Sequence, residues 1–175
     1  GGEGGLIVTT LGPDFRGVTP AEQAAILSKT YLLAMQAGVQ SVFWYNLRAV
    51  EAEPTYNEHH FGIVHRDLSP KPAYRALQTL ARTRPAGSRT IPVENWREDG
   101  LYRLAWKHPD GRTAWALWDR DGRRTHTLRI RGDVEQACSH MGNPLVLDTG
   151  EQGVFEVPLD RSPIYLLGPA AVTPR

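Results

Sequence analysis

The chain has 175 residues, of which 41% are hydrophobic and 22% charged, and this length suits one large domain or two small ones. Twenty Lys and Arg against nineteen Asp and Glu give a formal net charge of +1, so the charge indicates neither a nucleic-acid nor a membrane partner. No apolar run approaches the roughly 20 residues of a membrane span, and the single cysteine, Cys138, excludes an internal disulfide and a cysteine metal site.

The chain opens on Gly1-Gly2-Glu3-Gly4-Gly5 and has no initiator Met. We expect this to be a cut end of a longer protein, so a missing signal peptide leaves the compartment, secreted or cytoplasmic, undetermined.

A helix is predicted after the short apolar piece 6–8 and the loop 12–17. Thr19 is a suitable N-cap, Pro20 suits the first helical position, and Glu22 completes a capping box. The expected buried face contains Leu27, Tyr31, Ala34 and Met35, and Gly38 is the expected C-terminal cap.

The aromatic and β-branched run 41–48 then predicts a strand with both faces apolar, as in a parallel sheet covered by helices. The end of this strand changes to Tyr45, Asn46 and Arg48, groups that can bind a polar ligand. Ligands of α/β folds lie at the carboxyl ends of such strands, so this end is a candidate site.

A long polar connection, 49–68, follows the strand, and long loops are usually functional or disordered. Glu51, Glu53 and Glu58 are interpreted as a solvated loop. His59, His60 and His65 lack a known metal-ligand spacing, so loop hydrogen bonds or substrate contact are preferred to metal binding.

A second helix is predicted, with Ser69 as its N-terminal cap and Pro70 or Pro72 at its start. Residues 84–88 are predicted to be a linker.

After residue 89 the pattern of apolar and polar residues alternates, with turns at Asp110-Gly111 and Asp121-Gly122. Strands are expected near 101–106, 113–118, 125–130, 134–139, 145–148, 154–158 and 164–167, which together predict an antiparallel β-sandwich. Trp96, Trp106, Trp115 and Trp118 are candidates for an exposed ligand-binding face, but alternation within 113–118 makes at least one set of tryptophans part of the sandwich core.

The predicted fold is thus α/β plus all-β, with residues 1–83 forming a strand, helix, strand, helix unit and 89–175 the sandwich. Two parallel strands are not a stable sheet alone, and a closed barrel of βα units needs about 250 residues. We therefore expect a missing N-terminal segment, a partner chain or a homo-oligomer.

The segments 17–23, 29–34 and 38–48 resemble the last two βα units of retaining (β/α)8 glycoside hydrolases, especially the β-xylosidase-like and cellulase-like members. Residues 61–64 and 69–74 resemble the entry into the eighth helix of that barrel. The trailing sandwich, closing on 162–166, resembles the C-terminal domain of these enzymes.

This resemblance implies an enzyme that hydrolyses the O-glycosidic bonds of β-linked sugars. Such an enzyme uses two carboxyl groups of its own, about 5–5.5 Å apart. It makes Glu3 the candidate nucleophile, at the carboxyl end of the seventh strand, and leaves the general acid/base outside this chain. Trp44 matches the aromatic wall of the sugar subsite, with Tyr45, Asn46 and Arg48 as further substrate contacts. No cofactor or metal is implied.

Two alternatives remain open. The sandwich could be a non-catalytic carbohydrate-binding or scaffold module beside a barrel remnant, or the chain could be one piece of a split enzyme.

Overall fold

A computed structural model describes residues 5–9, 18–53, 55–147 and 153–175. These residues form a mixed α/β structure with two compact units, Gly1–Gln78 and Thr79–Arg175. Neither helix within the described ranges is long and apolar enough to cross a membrane.

The first unit contains strand β1 (Gly5–Thr9), helix α1 (Pro20–Gln36), strand β2 (Ser41–Tyr45), a 3-10 turn at Asn57–His60 and the start of helix α2 (Pro72–Thr83). Strands β1 and β2 are parallel neighbours, with Gly5 opposite Ser41 and Thr9 opposite Tyr45. The predicted order of strand, helix, strand and helix is therefore confirmed.

Helix α1 begins as predicted. The Thr19 hydroxyl accepts a hydrogen bond from the Glu22 N–H at 3.2 Å, and the Glu22 carboxylate accepts one from the Thr19 N–H at 2.7 Å. The helix ends where Gly38 adopts a φ of +76°, a left-handed conformation that costs glycine little. Leu27 and Ala34 are buried as expected.

Strand β2 departs from the expectation of two buried faces. Its residues alternate between exposed and half-buried, and Phe43 remains 61% exposed. The alternation follows from the period of two along a strand, because the described apolar side chains of the first unit pack on the face that carries Trp44.

The second unit holds the remaining strands. They are β3 (Arg89–Ile91), β4 (Arg97–Glu98), β5 (Leu101–Lys107), β6 (Thr113–Asp119), β7 (Arg124–Arg131), β8 (Gln136–Ser139), β9 (Val154–Leu159), β10 (Ile164–Leu167) and β11 (Ala171–Pro174). Within the described residues they form a six-stranded sheet, β3-β5-β6-β10-β8 with β4 beside β5, and a three-stranded sheet, β11-β7-β9. All pairings in both sheets are antiparallel.

A shared apolar core joins these two sheets. The larger sheet contributes Leu101, Ala105, Trp115, Leu117 and Leu166, and the smaller sheet contributes Leu128, Ile130, Phe155, Val157, Leu159 and Val172. The second unit is therefore a two-layer arrangement of antiparallel sheets, as the alternating pattern predicted. The strand expected at 145–148 is not formed over 145–147, and 148 lies outside the described residues.

The two compact units divide within α2, whereas the sequence predicted a linker at 84–88. The end of α2 is fixed to the sandwich, because the Trp106 indole donates to the Thr83 carbonyl at 2.8 Å. The Arg84 guanidinium also lies 5.4 Å from the centre of the Trp106 ring. The last turn of the helix therefore belongs with the second unit.

Asp119, at the end of β6, is 1% exposed and accepts three hydrogen bonds. The donors are the His126 ring at 2.7 Å, the Asp121 N–H at 2.7 Å and the Gly122 N–H at 3.1 Å. Burial raises the pKa of the Asp119 carboxyl, but these hydrogen bonds outweigh burial and the pKa lies below its ordinary value.

Because the folded carboxyl titrates below the unfolded one, its stabilising contribution is present above the unfolded pKa of about 4 and is lost as the pH falls toward the lowered value. Replacing Asp119 with Asn is expected to cost about 2–3 kcal/mol at pH 7 and to flatten the acid limb of the stability curve. Urea unfolding followed by tryptophan fluorescence between pH 3 and 7 measures both effects.

Asp121→Asn is the control, because that carboxylate is exposed and paired with the exposed Arg120. It should have a much smaller effect. If the free energy of unfolding of Asp119→Asn varied with pH in the same way as that of the wild type, this role of the buried carboxylate would be contradicted.

Candidate functional site

The carboxyl end of β2 presents different residues on its two sides. Trp44 faces a cluster of buried residues that contains Leu27, Ile63, Val64 and Ala73, with Tyr31 and Leu77 packed against it. The Trp44 indole also donates to the Phe61 carbonyl at 3.2 Å. The half-buried Trp44 ring therefore packs against apolar neighbours of the first unit, and its role as a sugar wall stays a prediction.

Tyr45 extends from the opposite side of the strand and is 48% exposed. Its ring contacts the edge of Phe61, with 6.4 Å between the ring centres. Of the two aromatic side chains predicted to contact substrate at this strand end, Tyr45 is therefore the more exposed.

Asn46 follows directly, after a cis peptide bond. Its backbone carbonyl accepts from the Ile63 N–H at 3.3 Å, and the side-chain oxygen is buried with no hydrogen bond to the described residues.

The loop after β2 is ordered by backbone pairing rather than solvated as a whole. The Leu47 carbonyl accepts from the Ile63 and Val64 N–H groups, each at 2.9 Å, and the Val64 carbonyl accepts from the Ala49 N–H at 2.9 Å. The segment 61–64 therefore returns alongside the end of β2 and fixes the backbone of the candidate site.

Two buried side chains donate hydrogen bonds to the backbone at the start of this returning segment. Gln23 is fully buried, and its amide donates to the carbonyls of His60 and Phe61 at 3.2 and 3.4 Å. The Lys71 ammonium, 3% exposed as a residue, donates to the same His60 carbonyl at 3.3 Å. Helix α1 and the residue directly before α2 thus position the loop.

Glu51 is half-buried rather than solvated as predicted. Its carboxylate accepts from the His65 ring at 2.8 Å and the Arg66 N–H at 3.1 Å, and it lies 3.5 Å from the Lys71 ammonium. Burial raises the pKa of this carboxyl, but these three partners together bring the pKa below its ordinary value. Its backbone φ is +52°, which is uncommon for a residue with a side chain.

The three histidines of the loop have local partners within it. The His59 ring accepts from the Glu53 N–H at 3.0 Å, and the His60 ring lies 3.2 Å from the Glu53 carbonyl. His65 binds Glu51, so the three rings serve the loop hydrogen bonding that the sequence interpretation preferred.

Glu3, the predicted nucleophile, lies outside the described residues, and its role stays a prediction. The described strand β1 begins at Gly5, so Glu3 precedes that strand in the sequence, whereas the prediction assumed a strand that ends at Glu3. The carboxyl end of β1 is Thr9, which lies beside Tyr45.

The tryptophans of the sandwich do not form an exposed sugar-binding face. Trp106, Trp115 and Trp118 are 1%, 6% and 2% exposed. Trp96 is half-buried, and its ring meets Tyr102 edge-on, with 5.7 Å between the ring centres. Their burial supports the interpretation that these side chains belong to the core of the sandwich.

Solved structures of glycoside hydrolases are similar to this chain, which confirms the predicted resemblance. A family 39 glycoside hydrolase from the gut symbiont Bacteroides cellulosilyticus WH2 matches with a TM-score of 0.74 and 28% identity, over 85% of this chain and 30% of that one. The catalytic domain of GH30 xylanase C from Talaromyces cellulolyticus matches with a TM-score of 0.65 and 11% identity, over 95% and 40%.

A GH30 endoxylanase from Clostridium papyrosolvens C71 matches with a TM-score of 0.59 and 11% identity, over 94% of this chain and 41% of that one. The chain therefore spans between 30% and 41% of the length of these three structures. No protein-family model and no curated protein match the sequence.

The site was only partly predictable. Tyr45, Asn46 and Arg48 are found at the strand end as expected, but sequence alone did not reveal Gly62. A Cβ atom at this position would overlap the backbone nitrogen of Ala49 and the carbonyl carbon of Arg48. Only glycine allows the returning segment to approach β2 so closely.

Gly62→Ala is therefore expected to destabilise the first unit by about 3 kcal/mol or more, because backbone atoms cannot give way to the added methyl group. Thermal unfolding followed by circular dichroism measures the change.

Gly38→Ala is the matched control. Gly38 has open space around it and a φ of +76°. The substitution should therefore lower the free energy of unfolding only by the backbone strain of a non-glycine residue at this φ, about 1–2 kcal/mol. Equal effects of the two substitutions would show that the close approach at Gly62 is not a constraint.

Proposed function

We propose that this chain is the C-terminal portion of a retaining glycoside hydrolase that acts on O-glycosidic bonds of β-linked sugars. Residues 1–83 would be the last two βα units of its (β/α)8 barrel, and 89–175 its trailing β-sandwich. The observation that carries the proposal is the similarity of the chain to a family 39 glycoside hydrolase over 85% of its length. The parallel pair β1–β2, which ends at an exposed Tyr45, supports it.

The chemistry of the strand end supports a carbohydrate ligand. An exposed aromatic ring can pack against the C–H face of a pyranose, and the exposure of the Tyr45 side chain supports this role. The exposed Arg48 supplies hydrogen-bond donors for sugar hydroxyls, and Asn46 lies between it and Tyr45 in the chain. In this proposal Tyr45 takes the role that the sequence assigned to Trp44.

Retaining hydrolysis needs two carboxyls, one to attack the anomeric carbon and one to protonate the leaving oxygen. Glu3 remains the candidate nucleophile, and the general acid/base would come from a preceding segment of the barrel or from a partner chain. This chain alone should then be inactive, since either carboxyl without the other leaves one half of the reaction unassisted.

A second function, binding of carbohydrate without hydrolysis, is favoured by one observation. Active sites of βα barrels lie at the carboxyl ends of the strands, and β1 ends at Thr9. The sequence 9–13 that contains this strand end, Thr9-Thr10-Leu11-Gly12-Pro13, has no acidic residue. A barrel with this strand end could hold a sugar and lack an attacking group there.

Substitution of Glu3 separates the two functions. In the longer protein, Glu3→Gln should lower turnover of an aryl β-glycoside by about three orders of magnitude or more if Glu3 is the nucleophile. Asp14→Asn, which removes the first acidic residue after β1, is the matched control and should retain turnover. Absence of turnover in the unsubstituted longer protein, together with oligosaccharide binding, would instead favour the non-catalytic function.

The assignment of Tyr45 is tested by binding. Tyr45→Ala should weaken binding of a β-linked oligosaccharide by about five- to tenfold with little loss of stability, because the ring is half exposed and lies outside the apolar cluster. Isothermal titration calorimetry and thermal unfolding measure the two quantities.

Trp44→Ala provides the contrast, since it removes a packed ring and should cost about 2–4 kcal/mol of stability. A Trp44→Phe protein that remains folded but loses oligosaccharide binding, with Tyr45→Ala unchanged in binding, would return the role of sugar wall to Trp44.

A further inference from the structure

A polar cavity lies within the second unit, between strands of its two sheets. Its volume is about 400 Å³, which falls in the range of roughly 300–1,000 Å³ that small-molecule sites occupy. Strands β4 and β5 of the larger sheet line one side of the cavity, and β7 and β11 of the smaller sheet line the other. Every described residue of the lining comes from the second unit, so the cavity belongs to that unit alone.

Charged side chains of both signs line this cavity. Glu98 and Asp99 come from β4 and the turn after it, whereas Arg124 begins β7 and Arg175 follows β11. All four residues are exposed, and within the described ranges no salt bridge joins any of them to an opposite charge. The cavity therefore keeps carboxylate acceptors on the side of the larger sheet and guanidinium donors on the side of the smaller sheet.

The His126 ring adds a buried polar group to the lining, because its side chain is only 9% exposed. Its Nε2 atom lies 2.7 Å from the Asp119 carboxylate. Burial raises the pKa of that carboxyl, but its hydrogen bonds outweigh burial, so Asp119 is ionised at neutral pH. An ionised carboxylate only accepts, so Nε2 carries the proton of the neutral ring and Nδ1 is an acceptor. Nδ1 makes no hydrogen bond within the described part of the chain.

Hydrogen bonds to the backbone fix the two sides of the cavity. The Arg124 guanidinium donates to the Asp99 carbonyl at 3.0 Å, which joins the turn after β4 to β7. The Arg175 N–H donates to the Thr127 carbonyl at 3.1 Å and holds the chain after β11. The Thr127 hydroxyl donates to the Glu156 carboxylate at 2.7 Å. The cavity is therefore preorganised, which reduces the entropic cost of binding a ligand.

The balance of charges in the cavity favours a neutral ligand with several hydroxyl groups. An anion would meet the carboxylates of Glu98 and Asp99, and a cation would meet the two arginines. A hydroxyl both donates and accepts, so vicinal hydroxyls can bind carboxylates and a guanidinium at the same time. Pro174, which is exposed at the end of β11, supplies an apolar surface for C–H groups. A neutral sugar combines these features.

We propose that this cavity is a second carbohydrate-binding site, which holds a neutral β-linked disaccharide unit without hydrolysing it. The choice of a sugar as the ligand rests on the proposed carbohydrate function. Glu98 and Asp99 accept from vicinal hydroxyls, Arg124 donates to a further sugar oxygen, and Nδ1 of His126 accepts from one hydroxyl.

Binding of the β-linked disaccharide of glucose to the Tyr45→Ala protein tests this site. Tyr45→Ala removes the aromatic contact proposed at the end of β2, so isothermal titration calorimetry then reports the cavity. Binding should persist in this background. Adding Glu98→Ala or Arg124→Ala should each weaken it about tenfold, because each removes a charge-assisted hydrogen bond to the sugar.

Glu94→Ala and Arg129→Ala, in the same background, are the matched controls. Each removes the same charge from an exposed residue outside the lining of the cavity. Both should retain the affinity of the Tyr45→Ala protein. Thermal unfolding of every variant verifies the fold.

The outcomes distinguish this inference from the function beneath it. Unchanged binding in Glu98→Ala and Arg124→Ala, or equal losses in the two controls, would overturn the second site. Loss of all binding in Tyr45→Ala would also overturn it, while supporting the sugar site at the end of β2. Tighter binding of the corresponding glucuronic acid disaccharide would overturn the neutral class of ligand. If neither the wild type nor Tyr45→Ala bound the disaccharide, the second site would be wrong, whereas turnover of an aryl β-glycoside by the longer protein tests the proposed hydrolysis separately.

Discussion

The return of segment 61–64 onto the end of β2 is the interaction on which the candidate site depends. Three backbone hydrogen bonds at 2.9 Å join 47–49 to 63–64, and Gly62 passes so close to Ala49 that a side chain would not fit. This contact fixes the residues after Tyr45 in space. It also orders the backbone of the long polar connection 49–68, which by its length alone could have been disordered.

The same contact separates structural residues from residues that are available to a ligand. The Phe61 carbonyl accepts from Trp44, and the Phe61 and Tyr45 rings pack in a T-shaped arrangement, so one residue supports both aromatic side chains. Trp44 is thereby bound into the apolar cluster, and Tyr45 stays on the open side. Similarly, Glu51 is held inside the loop by His65 and Lys71, while the side chains of Arg48 and Arg66 remain exposed.

Local signals in the sequence predicted much of the fold. The Thr19 and Glu22 capping box, the left-handed Gly38 and the alternation after residue 89 each depend on neighbours a few residues away, and each corresponds to an observed element. The choice between Trp44 and Tyr45 could not be made in this way. Both are aromatic and adjacent, and which one faces the helices depends on the distant residues Leu27 and Ala73. Gly62 was missed for the same reason, since its constraint comes from Ala49 across a chain reversal.

The central claim is that β1 and β2 are neighbouring strands at the end of a glycoside hydrolase barrel. An experimental structure of the protein at its full natural length, bound to a β-linked oligosaccharide, tests this most directly. The account predicts eight parallel strands closed into a barrel, β1 and β2 last among them, with a sugar ring on Tyr45. A structure in which no further parallel strand pairs with β2, or in which the sugar lies away from the end of that strand, would contradict it.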